Sequence, residues 1–231
     1  MVIGGSATET EVIDLADSNM KCTSSYGKLE AERQWPVGGL IRNTPILCGG
    51  KDLNEKVYDT CIRFAQNQTS SIKMNEKRFR SASVILNETT FWIMGGSTET
   101  YNDLLISTEF INLDSDTSIN GPSLPMELDS SCAIKYNASH IYLTGGYYSG
   151  DQQRQDKVWI FNMYDINNAT SSWTEGPKMK EARAVHGCTV LHQNQKSLIV
   201  VAGGWNEAGA VLSMEILDPL KSEWIEGKTD C

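Results

Sequence analysis

The sequence predicts an all-β protein, a β-propeller of four-stranded blades, and three observations carry that prediction. A short run ending in two glycines recurs five times, at Gly4-Gly5, Gly49-Gly50, Gly95-Gly96, Gly145-Gly146 and Gly203-Gly204. The second glycines follow one another at intervals of 45, 46, 50 and 58 residues. The segments between them repeat one order of strand-forming and turn-forming stretches, and no stretch of about 11 residues or more holds a helical period. A fixed period of this length marks a repeat architecture. Four short strands per period read as one blade of a propeller.

After each glycine pair comes a loop, then an apolar strand, at 11–15, 59–64, 109–113, 158–162 and 215–218. Val, Ile, Phe and Trp in these runs fit a pleated, half-buried surface. A polar strand with one large apolar residue follows; Ile72, Ile119, Trp173 and Trp224 take that place. Next, an apolar residue stands four places before an arginine: Leu29 before Arg33, Met74 before Arg78 and Met179 before Arg183. A further strand, at 37–41, 83–86, 132–136 or 188–192, leads through its hairpin partner to the next glycine pair. The whole chain, 1–231, reads as one array, with units near 1–30 (partial), 31–76, 77–125, 126–180 and 181–231.

This pattern resembles the kelch repeat. The matching features are the double glycines, the Glu-x-x-Asp strand of Glu11/Asp14 and Glu215/Asp218, and the Met-to-Arg step. The Trp-x-x-Gly stretch matches at Trp173-Thr174-Glu175-Gly176 and Trp224-Ile225-Glu226-Gly227. Two departures stand out. The junction Leu124-Pro125-Met126-Glu127-Leu128 lacks the arginine, and the first two units lack the tryptophan.

Composition excludes several functions. A net charge of −9 argues against a phosphate-binding surface, so no nucleic-acid partner is expected. No apolar run approaches the roughly 20 residues of a membrane-spanning helix. Met1-Val2-Ile3-Gly4-Gly5 has neither the basic start nor the long apolar stretch of a signal peptide. The first unit shows three strands and the later ones four each. The 231 residues therefore read as most of a six-bladed ring, cut from a longer chain at both ends.

The glycine pairs lack the G-x-G-x-x-G spacing and following helix of a dinucleotide site. They read as structural, ending a strand where blades crowd the axis and a Cβ would not fit. Arg33, Arg78 and Arg183 recur at one position per unit, so they read as buried ties to carbonyls or a neighbouring Glu rather than an anion-binding ring.

Of the six cysteines, Cys48 and Cys61 fall on adjacent strands of one unit and are the disulfide candidate. Cys132 and Cys188 occupy matching positions in neighbouring units and read as small buried apolar residues. No Cys-x-x-Cys occurs, and no histidine clusters with cysteines, so no metal or other cofactor is expected. Asn-x-Ser/Thr sequons are glycosylation candidates, Asn87 and Asn137 in turns between the first and second strands of units and Asn67 and Asn168 in outer-strand connections. Cysteine-bearing strands together with sequons resemble secreted kelch proteins, which implies an extracellular setting; a cytoplasmic one is the alternative.

Residues just after each arginine and just after each glycine pair should share one end of the ring. Kelch adaptors grip peptides on that face, and the resemblance implies the same here. The candidate contact residues are Trp35, Lys51, Arg80, Tyr101, Tyr147, Tyr148, His186 and Trp205. The expected function is a non-enzymatic module that binds a protein or peptide. Two alternatives are kept: an intracellular adaptor for a ubiquitin ligase or actin, and a copper-radical oxidase, for which the three histidines supply no full ligand set.

Overall fold

A computed structural model describes residues 8–13, 22–65, 68–165, 173–193 and 195–227. Gly4, Gly5, Asp14, Asn67, Asn168 and Cys231 lie outside the described residues. The fold is all-β. A hairpin of β1 (Glu9–Ile13) and β2 (Cys22–Lys28) comes first. Blade two is β3 (Val37–Ile41), β4 (Thr44–Cys48), β5 (Thr60–Ala65) and β6 (Gln68–Lys73). Blade three is β7 (Ala82–Ile85), β8 (Thr90–Met94), β9 (Thr108–Asn112) and β10 (Thr117–Asn120).

Blade four begins with β11 (Cys132–Lys135) and β12 (His140–Thr144). A small hairpin of β13 (Tyr147–Tyr148) and β14 (Gln153–Arg154) interrupts it before β15 (Val158–Asn162) and β16 (Thr174–Glu175). Blade five starts with β17 (Gly187–Gln193) and β18 (Lys196–Ala202). A second small hairpin of β19 (Trp205–Asn206) and β20 (Gly209–Ala210) precedes β21 (Met214–Asp218) and β22 (Glu223–Glu226). All four large sheets are antiparallel meanders. The structure thus describes two strands of the first unit where the sequence reading expects three.

The core lies between blades. One apolar cluster joins Ile46 and Ile72 of blade two to Phe91, Ile93 and Ile111 of blade three. A second joins Trp92 and Met94 of blade three to Ile141, Leu143, Phe161 and Trp173 of blade four. A third joins Tyr142 and Val158 of blade four to Ile199, Val201, Leu217 and Trp224 of blade five. The period-2 alternation of a strand explains this division. On β8, Phe91 and Ile93 face back while Trp92 and Met94 face forward, so both faces are buried. On β18 only Ile199 and Val201 are buried, because no further described blade covers the other face.

The glycine pairs sit at these interfaces. Gly95 and Gly96 have φ of +59° and +96°, where L side chains are strained. A Cβ on Gly95 would fall on the carbonyl oxygen of Leu128 in the next blade, and the Gly96 N–H donates to that same oxygen at 2.9 Å.

The recurring arginines are buried and serve their own blade. Arg78 donates to the carbonyls of Gly95 (2.8 Å) and Ser107 (3.2 Å) and pairs with Glu109 at 2.6 Å. Arg183 repeats this with Gly203 (2.9 Å), Ser213 (3.1 Å) and Glu215 (2.8 Å). The two glutamates also accept backbone N–H groups, Glu109 from Asn75 and Glu76, Glu215 from Lys180 and Glu181. In blade two Ile62 stands where Glu109 does in blade three. Arg33 there keeps the carbonyls of Gly49 and Thr60, each at 3.0 Å, and stacks 4.1 Å from the Tyr58 ring.

Blade four replaces the whole device. Leu128 stands for the arginine, Trp159 for the glutamate, and Pro125, which has no N–H to satisfy, for Asn75 and Lys180. Removing both charges together avoids leaving one of them buried alone.

Two disulfides are present. Cys48–Cys61 links β4 to β5 within blade two. Cys132–Cys188 links β11 to β17 across blades four and five, where the sequence reading has two small apolar fillers.

Candidate protein-binding mouth

Short antiparallel bridges pair the residue after each arginine position with the residue after each glycine pair: Gln34 with Lys51, Phe79 with Ser97, Asp129 with Tyr147, Ala184 with Trp205. The two sets of loops therefore meet at one end of the blades. The next residue in each blade is Trp35, Arg80, Ser130 or Val185, at φ of 51°, 56°, 54° and 56°. Non-glycine residues in the left-handed region are uncommon, and a recurrence in four blades marks a requirement of the fold.

That requirement is visible in the hydrogen bonds. Arg80 N–H donates to the Trp35 carbonyl (3.0 Å), Ser130 N–H to Arg80 (2.7 Å) and Val185 N–H to Ser130 (2.9 Å). These backbone bonds run from blade to blade around the axis. Of these four side chains Trp35 and Val185 are exposed, and Arg80 and Ser130 are half-buried.

Beside this row of hydrogen bonds is a depression of about 740 Å³ lined by Trp35, Arg80, Tyr101, Tyr147 and Trp205, five of the eight sequence candidates. Trp35 and Tyr101 meet edge to face, with ring centroids 6.3 Å apart. The Arg80 guanidinium lies in the corner they make, 4.6 Å from Trp35 and 4.3 Å from Tyr101. Trp205 is 56% exposed although it is large and apolar. Lone exposed aromatics are ordinary, but several on one concave face mark an interaction site.

The other three candidates do not line this depression, although His186 lines a neighbouring cavity with Trp35, Arg80, Ser130 and Val185. Lys51 is buried; its ammonium pairs with Glu55 and lies 5.1 Å from the Phe79 ring. Tyr148 packs on the core between blades three and four. His186 is buried beneath Val185, with Nε2 at 2.8 Å from Thr144 Oγ1 and Nδ1 without a partner. Burial, helped by the charge of Arg183, pushes the His186 imidazole down to about 3.

The depression also takes in Gln152 and Arg154, from the long polar loop at 147–156 that the sequence already offers as a contact loop, and Asp129, Ser130 and Val185, which sequence reasoning did not single out. Ser130 and Val185 share the offset from the arginine position that Trp35 and Arg80 have. That offset was the available signal. Asp129 is 1% exposed; its Oδ2 accepts from Ser97 Oγ at 3.0 Å and its Oδ1 has no partner. Burial pushes its carboxyl up, opposed by the nearby Ser130 and Ser97 hydroxyls and by the charges of Arg80 and Arg154.

No family model matches the chain. The chain is similar to Kelch-like protein 23 of Homo sapiens, 31% identical over 107 residues, which is 46% of this chain and 18% of that protein. Kelch-like protein 23 of Mus musculus is 30% identical over the same length. Kelch-like protein 41a of Danio rerio is 28% identical over 137 residues, 59% of this chain and 21% of that protein. The aligned stretch is thus about a fifth of the length of the curated relatives.

Proposed function

As a kelch-repeat propeller the chain is, we propose, a non-enzymatic binding module that grips a protein or peptide on its mouth face. One observation carries the reading. Aromatic and arginine side chains from separate blades converge on a single depression whose backbone is tied blade to blade. A rigid scaffold that presents variable side chains suits recognition. Among the described residues no group of three His, Cys, Asp or Glu is placed to hold a metal ion.

Peptide display on the purified domain tests the face. Sequences enriched on the native protein should be lost on a W205A/Y147A double variant that keeps its urea midpoint. Enrichment indifferent to that variant refutes the mouth.

We place the domain in an oxidising compartment. Two disulfides support this. So do two sequons, at Asn87 and Asn137, whose exposed turns are equivalent in blades three and four. Mass spectrometry of protein from a secretory host should find both disulfides closed and both asparagines glycosylated. Free thiols and bare asparagines would instead favour the cytosolic adaptor.

A further inference from the structure

We propose that the Cys132–Cys188 disulfide is a redox latch for the mouth, opened by a dithiol reductant and closed again by oxidation. This rests on the mouth being the binding face and names a control on it.

The two disulfides differ in access. Cys48 and Cys61 are 1% and 0% exposed and lie among Ile46, Ile72, Phe91 and Ile93. Cys132 and Cys188 are each half-buried, on the first strands of their blades. Thiol exchange needs a thiolate to reach a sulfur, so exposed disulfides are the labile ones and buried ones persist.

Position ties the second disulfide to the mouth. Cys132 stands two residues after Ser130, and Cys188 three after Val185. The Val185 N–H donates to the Ser130 carbonyl at 2.9 Å, which is the mouth's bond between blades four and five. A second link runs beside it. The Thr144 hydroxyl donates to the Cys132 carbonyl at 3.2 Å, and so receives the His186 Nε2–H at 2.8 Å. His186 directly follows Val185 in the chain.

Among the described residues no other junction between blades carries a disulfide. By strand register, Ala82 and Ala133 hold the corresponding places between blades three and four, and Val37 and Ser83 between blades two and three. Blades three and four are packed on both faces, whereas among the described residues blade five packs only on blade four. A cross-link across 56 residues therefore acts where the packing is thinnest. Once it opens, β17 and the β19–β20 hairpin, with Trp205, lose their covalent hold on blade four.

The exchange is balanced. A thiolate of the reductant attacks one sulfur, the S–S bond breaks, and the other cysteine leaves as a thiolate. The reductant's second thiol then attacks the mixed disulfide and releases the first cysteine. Two electrons and two protons pass to the protein, leaving two cysteine thiols and an oxidised dithiol.

Dithiothreitol titrated into the native protein, followed by alkylation and mass spectrometry, should label Cys132 and Cys188 first and leave Cys48 and Cys61 closed. Amide exchange should then quicken on β17 and the β19–β20 hairpin and stay unchanged on β7 and β8. Affinity for a display-selected peptide, read by fluorescence anisotropy, should fall roughly tenfold and return on oxidation with oxidised glutathione. C132A/C188A should bind like the reduced protein and ignore dithiothreitol. Both disulfides opening together, or exchange on β17 unmoved by reduction, overturns the latch. Faster exchange with unchanged affinity refutes its control of binding. Peptides that bind W205A/Y147A as well as the native protein refute the mouth reading instead, and the exchange rates alone then decide whether the latch exists.

Discussion

Substituting alanine at Gly145 and at Gly203 separates backbone strain from blade stacking. The two glycines hold the same place in blades four and five, with φ of +56° and +69°. Each alanine should therefore meet about the same left-handed penalty, ~1–2 kcal/mol. Each also gains about 0.4–1 kcal/mol from a stiffer unfolded chain. The surroundings differ. At Gly145 the new Cβ falls on the Arg183 carbonyl oxygen of blade five and 2.8 Å from the His186 ring. That carbonyl accepts the Gly146 N–H at 2.9 Å, so it cannot retreat without loosening the interface. Overpacking of this kind costs about 1–3 kcal/mol more. At Gly203 the nearest atom is the Val211 carbonyl oxygen at 3.9 Å, and nothing must move. G145A should lose roughly 2–4 kcal/mol and G203A about 1 kcal/mol or less. Urea unfolding followed by tryptophan fluorescence reads the difference from the midpoints, provided the slopes agree. Equal losses would mean that blades four and five do not stack as described.

Three further outcomes follow from the same geometry. R183L strands Glu215 in the core and should cost about 3–5 kcal/mol, whereas R183L/E215W, which copies the Leu128 and Trp159 arrangement of blade four, should cost clearly less by chemical denaturation. Val185 is β-branched at φ 56° and 61% exposed, so V185N should raise stability by about 1 kcal/mol; an unchanged melting curve would count against the strain. His186 is held at about 3 against an ordinary 6.5, so the unfolded chain binds the extra proton between those values. Its contribution is complete above pH 6.5 and is lost as pH falls toward 3, by up to about 1.4 kcal/mol per pH unit. The difference in stability between native protein and H186N should therefore slope across that window and flatten above it.

The glycine pairs and arginines were legible in the sequence because they answer the same steric and electrostatic demand in every repeat. The mouth was only half legible. Trp35, Arg80, Ser130 and Val185 share a backbone conformation and a hydrogen-bond chain but no side-chain chemistry, so only the two that resemble interface residues drew notice. Lys51 misled because a charge reads as exposed, yet Glu55 and two aromatic rings accommodate it in the interior. Cys132 and Cys188 are 56 residues apart, and their meeting depends on blade stacking rather than local spacing. The missing arginine of blade four was plain, but its compensation by Trp159 and Pro125 needed the strand register.

The mouth itself is tested most directly by mapping amide chemical shifts while a display-selected peptide is titrated into the labelled domain. Binding at the mouth predicts that the largest shifts fall on Trp35, Arg80, Ser130 and Val185 and on the loops at 98–103 and 147–154. Shifts gathered instead at the opposite end, around the turns at Arg42-Asn43, Asn87 and Asn137, would contradict it.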